Sequence, residues 1–222
     1  MKKLLAIFAS LIALAAVAVV LFLLKKPSLE IDPRQGKLFI PPIPVPAFSL
    51  IDHHRQPIGN TALQGRWTLA MIGFTTCPDV CPLTLAEMAS FYKLLAEAAP
   101  TSTVPQFLFI SVDPFRDTPD VLAEYVEYFR PEFIGVTGSP QDLQNLVNAL
   151  GLYYVFQDPK TNTLIKDVLH KPEMENYAVV HATSVVVINP QGQMVALLTQ
   201  PFKARDIVTQ YQKLVQFYGG KS

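Results

Sequence analysis

Cys77 and Cys81 stand four residues apart in Phe74-Thr75-Thr76-Cys77-Pro78-Asp79-Val80-Cys81-Pro82. The apolar run before them has the length of a buried strand, and the residues after them recur at helical spacing. In a helical turn, residues i and i+4 share a face, with Cβ atoms about 5–6 Å apart. Two sulfurs so placed can chelate one metal or, with local adjustment, close a disulfide. A helix N-terminus lowers thiol pKa and favours thiolates, which select Cu(I) and then zinc. Three chemistries therefore stay open: a small structural disulfide, thiol–disulfide exchange and metal binding. Redox pairs at such junctions normally have two intervening residues, not three. Two thiolates alone make a poor metal pocket, so metal binding asks for a third ligand, most naturally histidine.

The chain has four histidines. His53 and His54 lie in a polar turn and His170 in a charged loop, so all three are expected at the surface. His181 follows Tyr177-Ala178-Val179-Val180 and immediately precedes an apolar strand. Its position suits either a satisfied core histidine or a ligand.

These residues need a scaffold, and the periodicity supplies one from Ala47 on. Phe48–Ile51, Trp67–Phe74, Phe107–Val112 and Phe133–Thr137 read as strands. Leu85, Met88, Ala89, Tyr92, Leu95 and Ala99 form a helical stripe. Asp117-Thr118-Pro119 and Ser139-Pro140 each open a helix with a capping side chain and a first-turn proline, and Gly151 stops the second. Thr183–Ile188 and Met194–Leu198 flank Asn189-Pro190-Gln191-Gly192 as a hairpin, and a last helix runs from about Ala204 to Tyr218. This order predicts an α/β fold, with a thioredoxin-like mixed sheet flanked by helices.

Composition narrows the classes further. Half of the 222 residues are hydrophobic, which is too apolar for a disordered chain. Lys+Arg 18 against Asp+Glu 18 leaves no charge excess to hold nucleic acid. Two cysteines cannot make a disulfide scaffold, a four-cysteine zinc site or an iron–sulfur cluster. Leu4–Leu24 is an apolar run with Ser10 as its only polar interruption. As a helix it spans roughly 30 Å, the thickness of a bilayer core, and is longer than a signal-peptide apolar region. The expected organisation is an N-terminal transmembrane anchor over 1–26, a proline-rich semi-rigid linker over 27–46, and a thioredoxin-like domain over 47–222.

The sequence resembles the SCO/SenC family, the copper chaperones for cytochrome c oxidase assembly. Gly73-Phe74-Thr75-Thr76-Cys77-Pro78-Asp79-Val80-Cys81-Pro82 is close to the family's cysteine motif. Ser111-Val112-Asp113-Pro114-Phe115-Arg116-Asp117-Thr118-Pro119 matches a second stretch. His181, ahead of a strand and the Asn-Pro-Gln-Gly turn, falls where the family has its ligand histidine. The likeness spans roughly residues 48 to 217 and includes the anchor. It implies Cys77, Cys81 and His181 as ligands for Cu(I) or Cu(II), with Asp113 beside the site as a supporting group. It also implies delivery of copper to the binuclear copper centre of cytochrome c oxidase subunit II, with other copper chaperones or a thiol reductant as further partners. The anchor would then sit in a bacterial inner membrane, with the domain in the periplasm. One departure stands out: the family commonly has an aspartate just before the histidine, where this chain has Val180. An acidic neighbour orients an imidazole and raises its basicity, so its loss is expected to weaken copper affinity, to change the Cu(I)/Cu(II) balance, or to move the orienting role to Asp113 or to a backbone carbonyl.

Two enzymatic alternatives accompany this reading. One is an extracytoplasmic thiol–disulfide oxidoreductase in which Cys77 and Cys81 are the redox pair and reduce cysteines of the oxidase subunit or of other proteins. The other is a peroxidase with Arg116 as the activating cation.

Overall fold

The structure is a computed structural model and describes residue 31, residues 34–98 and residues 103–219. The expected anchor lies outside these residues. Among the described residues, no helix is long and apolar enough to cross a membrane.

Eleven strands and four helices are described. The strands are β1 (Gly36–Pro44), β2 (Ser49–Asp52), β3 (Pro57–Gly59), β4 (Thr68–Gly73), β5 (Gln106–Ser111), β6 (Ile134–Thr137), β7 (Tyr154–Gln157), β8 (Leu164–Ile165), β9 (Ala178–His181), β10 (Val185–Ile188) and β11 (Gln193–Leu198). The helices are α1 (Val80–Ala98), α2 (Pro119–Phe129), α3 (Pro140–Ala149) and α4 (Ala204–Gly219). Eight strands form one mixed sheet in the order β1-β11-β10-β4-β5-β6-β2-β3. At its centre β4, β5 and β6 run parallel, and β10 pairs antiparallel to β4. The fold is thioredoxin-like, as the alternation of strands and helices predicts.

Position in the sheet explains the strand sequences. All six residues of β4 and all four of β10 are buried, because both strands are interior and covered on both faces. Helix boundaries follow local chemistry. Thr118 caps α2 and Ser139 caps α3, each accepting from a backbone N–H in the first turn, with proline next. Gly151 ends α3 with φ at 70°, a conformation glycine adopts without a Cβ penalty.

Two regions differ from the sequence reading. The proline-rich stretch expected as linker through Pro46 is strand β1 from Gly36 to Pro44, paired with β11. Proline lacks a ladder donor and is accommodated on edge strands and at irregularities. β1 is an edge strand, and its register shifts between Leu38 and Ile43, where Pro41 and Pro42 sit. A small second sheet, β8-β7-β9, also forms between α3 and β10. Its strands are too short to carry a clear period, and β9 ends on His181.

Candidate metal centre

The cysteines sit where the parallel sheet delivers its chain ends. β4 stops at Gly73, the loop turns with the Cys77 N–H donating to Phe74 O at 3.2 Å, and α1 begins at Val80. Cys81 therefore lies in the first turn of α1, where Pro82 is tolerated because first-turn N–H groups have no intrahelical acceptor. Cys81 is fully buried, Cys77 is nearly so, and both are free thiols.

His181 reaches the cysteines from β9. Its register partner is Tyr154 on β7, and the Ala182 N–H donates to Tyr153 O at 2.9 Å, which ties the chain just past β9 to β7. His181 Nε2 lies 3.5 Å from Cys81 Sγ. Its Nδ1 lies 2.8 Å from Ala182 O. A carbonyl oxygen only accepts, so Nδ1 carries the ring proton and Nε2 presents a lone pair. Phe74 stands edge-on to the ring at 5.7 Å between centroids. One donor atom from each of Cys77, Cys81 and His181 lies within 4.8 Å of the others.

The two thiols are electrostatically unlike. The Cys77 thiol is pushed down to about 4, chiefly by a hydrogen bond from Cys81 and further by backbone groups of Asp79 and Cys81, against burial, which raises it. The same bond to Cys77, together with burial, pushes Cys81 far up. In the reduced pair the thiolate is thus favoured at Cys77 and the thiol at Cys81.

With Val180 in place of an acidic residue, the Ala182 carbonyl orients the imidazole. Asp113 does not take that role directly. Its Oδ1 accepts from Tyr177 Oη at 2.6 Å and its Oδ2 accepts from Arg116 Nε. Arg116 also donates to Tyr177 O at 3.0 Å and lies 3.8 Å from the Tyr177 ring centre. Asp113 is therefore tied to Tyr177, the residue immediately before β9 and four before His181, and Arg116 is engaged with this clamp.

Thr118 supplies the cap expected of Asp117-Thr118-Pro119, and Asp117 is fully buried behind the cysteine loop. It accepts from Thr75 N–H at 2.9 Å, Thr75 Oγ1 at 2.6 Å and Ser111 Oγ at 2.6 Å. Burial raises its carboxyl above the usual range, although these hydrogen bonds act against the rise. The available signal was a second carboxylate in a motif whose capping role one residue already fills. Of the remaining histidines, His54 and His170 are exposed as expected, whereas His53 is buried.

A thioredoxin-like domain that gathers two thiols and one imidazole at the end of its central strand defines a class of thiol-based metal or redox protein. The sequence pattern of SCO1/SenC matches residues 42–216, so the chain belongs to the SCO1/SenC family. A putative copper-binding protein of Stutzerimonas stutzeri is 37% identical over 159 residues, which cover 72% of this chain and 71% of that protein. Protein sco1 of Schizosaccharomyces pombe is 30% identical over 161 residues, covering 72% of this chain and 57% of that protein, so the match spans little more than half of this relative. Among solved structures, yeast Sco1 with copper bound aligns with a TM-score of 0.67 at 28% identity, covering 79% of this chain and 90% of that one. Arabidopsis thaliana ScoI with copper bound aligns at 0.66 and 28%, covering 77% and 98%.

Proposed function

We propose that this protein is a membrane-anchored copper metallochaperone. Reduced Cys77 and Cys81 and the Nε2 of His181 take copper as cargo. They pass it by ligand exchange to the binuclear copper site of cytochrome c oxidase subunit II during assembly. The observation that carries this reading is the convergence of two sulfurs and one unprotonated imidazole nitrogen within 4.8 Å. Soft thiolates with an imidazole suit trigonal Cu(I) and can also hold Cu(II). The copper-binding relatives support copper as the ion. Asp113 acts as a positioning group through Tyr177. The apolar run Leu4–Leu24 serves as the anchor in a bacterial inner membrane, with the copper domain on the periplasmic side. Oxidation of the pair removes both anionic ligands, so redox state gates loading in that oxidising compartment.

Anaerobic titration of the reduced protein with Cu(I) tests the reading. One equivalent is expected to bind, and His181→Ala is expected to weaken binding by about tenfold or more with the fold retained. Equal affinity in wild type and variant would overturn the three-ligand site.

The depressed Cys77 thiol favours one second reading, a thiol–disulfide oxidoreductase. The Cys77 thiolate attacks a substrate disulfide, forming a mixed disulfide and releasing one substrate thiolate; Cys81 then loses its proton to that leaving thiolate and attacks Cys77 Sγ, releasing the second thiolate, which takes a proton from solvent. The substrate gains two electrons and leaves as a dithiol, the pair becomes a disulfide, and a thiol reductant restores it. Multiple turnover on an oxidised subunit II peptide without metal would favour this enzyme over the chaperone.

A further inference from the structure

Toward the other end of the parallel strands, the turn after β2 carries His53 and His54 and faces Glu127 on α2. His53 is 5% exposed, although its sequence neighbours are polar. Its backbone N–H donates to Gly135 O at 2.8 Å, and its Nδ1 accepts from the Gly135 N–H at 3.0 Å. The buried Nε2 has no hydrogen-bond partner among the described residues. It is aimed at Glu127, whose Oε1 is 3.8 Å away, beyond a hydrogen bond. The His54 ring lies 4.0 Å from that of His53, centre to centre. One donor atom from each of His53, His54 and Glu127 lies within 4.8 Å of the others. Arg55, the nearest cation in sequence, is paired with Asp120 at 2.7 Å.

We propose that His53 Nε2, His54 and Glu127 form a second metal site that takes a borderline divalent cation, Zn(II) or Cu(II). Two imidazoles and a carboxylate without sulfur suit these ions rather than Cu(I). Bonds of about 2.0–2.2 Å from a shared ion require the donors to close in slightly. His54 and Glu127 are exposed and can do so, while buried His53 is the fixed ligand. Because Nδ1 accepts from the Gly135 N–H, the metal-free ring carries its proton on Nε2; when Nε2 binds the ion that proton is displaced to Nδ1, which then donates to Gly135 O at 3.4 Å and gives up the hydrogen bond from the Gly135 N–H. The bound ion gives the buried Nε2 the partner it lacks and ties the turn after β2 to α2. Without a thiol, this site is indifferent to oxidation of Cys77 and Cys81.

Zn(II) titration of the whole chain carrying Cys77→Ser and Cys81→Ser tests the proposal. One saturable equivalent is expected, together with a rise in Tm on adding Zn(II). His54→Ala and Glu127→Gln, both at exposed positions, are each expected to weaken binding by about tenfold or more and to abolish the Tm rise. Absence of saturable Zn(II) binding in the cysteine-free chain, or unchanged affinity after both substitutions, would overturn it. Every arm lacks the cysteines, so failure here leaves the copper reading at Cys77, Cys81 and His181 untouched.

Discussion

Cys81 Sγ lies 3.5 Å from His181 Nε2, although 100 residues separate them in the chain. No local element makes this contact. It requires the junction of β4 and α1 to fix the sulfur and the small sheet to bring β9 across to it. Since Ala182 O claims the Nδ1 proton, Nε2 can only accept. The Cys81 thiol proton therefore faces two acceptors, the imidazole nitrogen and the Cys77 thiolate.

Alkylation of the reduced metal-free protein should expose this asymmetry. An ordinary thiol near pKa 8.5 loses about tenfold in thiolate, and so in rate, for each pH unit below that value. Cys77 is pushed down to about 4, so it remains a thiolate throughout the neutral range. Its rate constant with iodoacetamide, followed by mass spectrometry, is expected to be flat from about pH 8 to pH 6. A tenfold fall per unit across that window would show that the Cys81–Cys77 hydrogen bond does not hold the thiolate.

Gly73 sets the space behind Cys81. A Cβ there would lie 2.8 Å from Cys81 Sγ and 2.6 Å from Phe109 Cε2. Gly73→Ala must displace the sulfur, the ring or the end of β4, and overpacking of this kind costs about 1–3 kcal/mol. Denaturant unfolding is expected to register that loss. Cu(I) affinity is expected to fall as well, because the displaced sulfur is a proposed ligand. Unchanged affinity at reduced stability would place the adjustment in Phe109 or the end of β4 rather than in the sulfur.

The pair of cysteines was legible in sequence because its spacing and its strand-to-helix context are local. His181 was legible only as one of two roles, since its partners come from distant elements. Its orienting group could not be assigned by residue type, because every residue carries a backbone carbonyl. His53 was misjudged for a similar reason. Its polar neighbours His54, Arg55 and Gln56 read as surface, but its burial depends on Gly135, 82 residues away. The prolines of β1 suggested an extended stalk, and only the pairing with β11 makes that stretch an edge strand.

Tyr177 links the buried carboxylate of Asp113 to the strand that carries His181. Tyr177→Phe removes the hydroxyl that donates to Asp113 Oδ1 at 2.6 Å. A buried acceptor deprived of its donor costs about 1–3 kcal/mol, and the unfolding midpoint is expected to fall accordingly. The ring and its contact with the Arg116 guanidinium remain, so the fold is retained. Cu(I) affinity is expected to drop less than in His181→Ala, because no proposed ligand is lost. A loss equal to that of His181→Ala would mean that the hydroxyl itself fixes the imidazole.

Asp117 gives the pH dependence a definite sign. Burial raises its carboxyl above the unfolded value near 3.9, so the native state holds this proton more tightly than the unfolded chain does. Its contribution is then fully present below the unfolded value and is lost as pH rises through the raised folded value. Asp117→Asn keeps an amide carbonyl to accept from Thr75 or Ser111 but cannot ionise. Urea unfolding of both proteins across pH 4 to 8 separates this group from the remaining carboxylates, which are common to the two. Wild-type stability relative to the variant is expected to be greatest near pH 4 and to decline toward neutrality. A relative stability that instead rises with pH would mean that the hydrogen bonds from Thr75 and Ser111 outweigh desolvation, and that this carboxylate is ionised behind the cysteine loop at every pH at which the protein works.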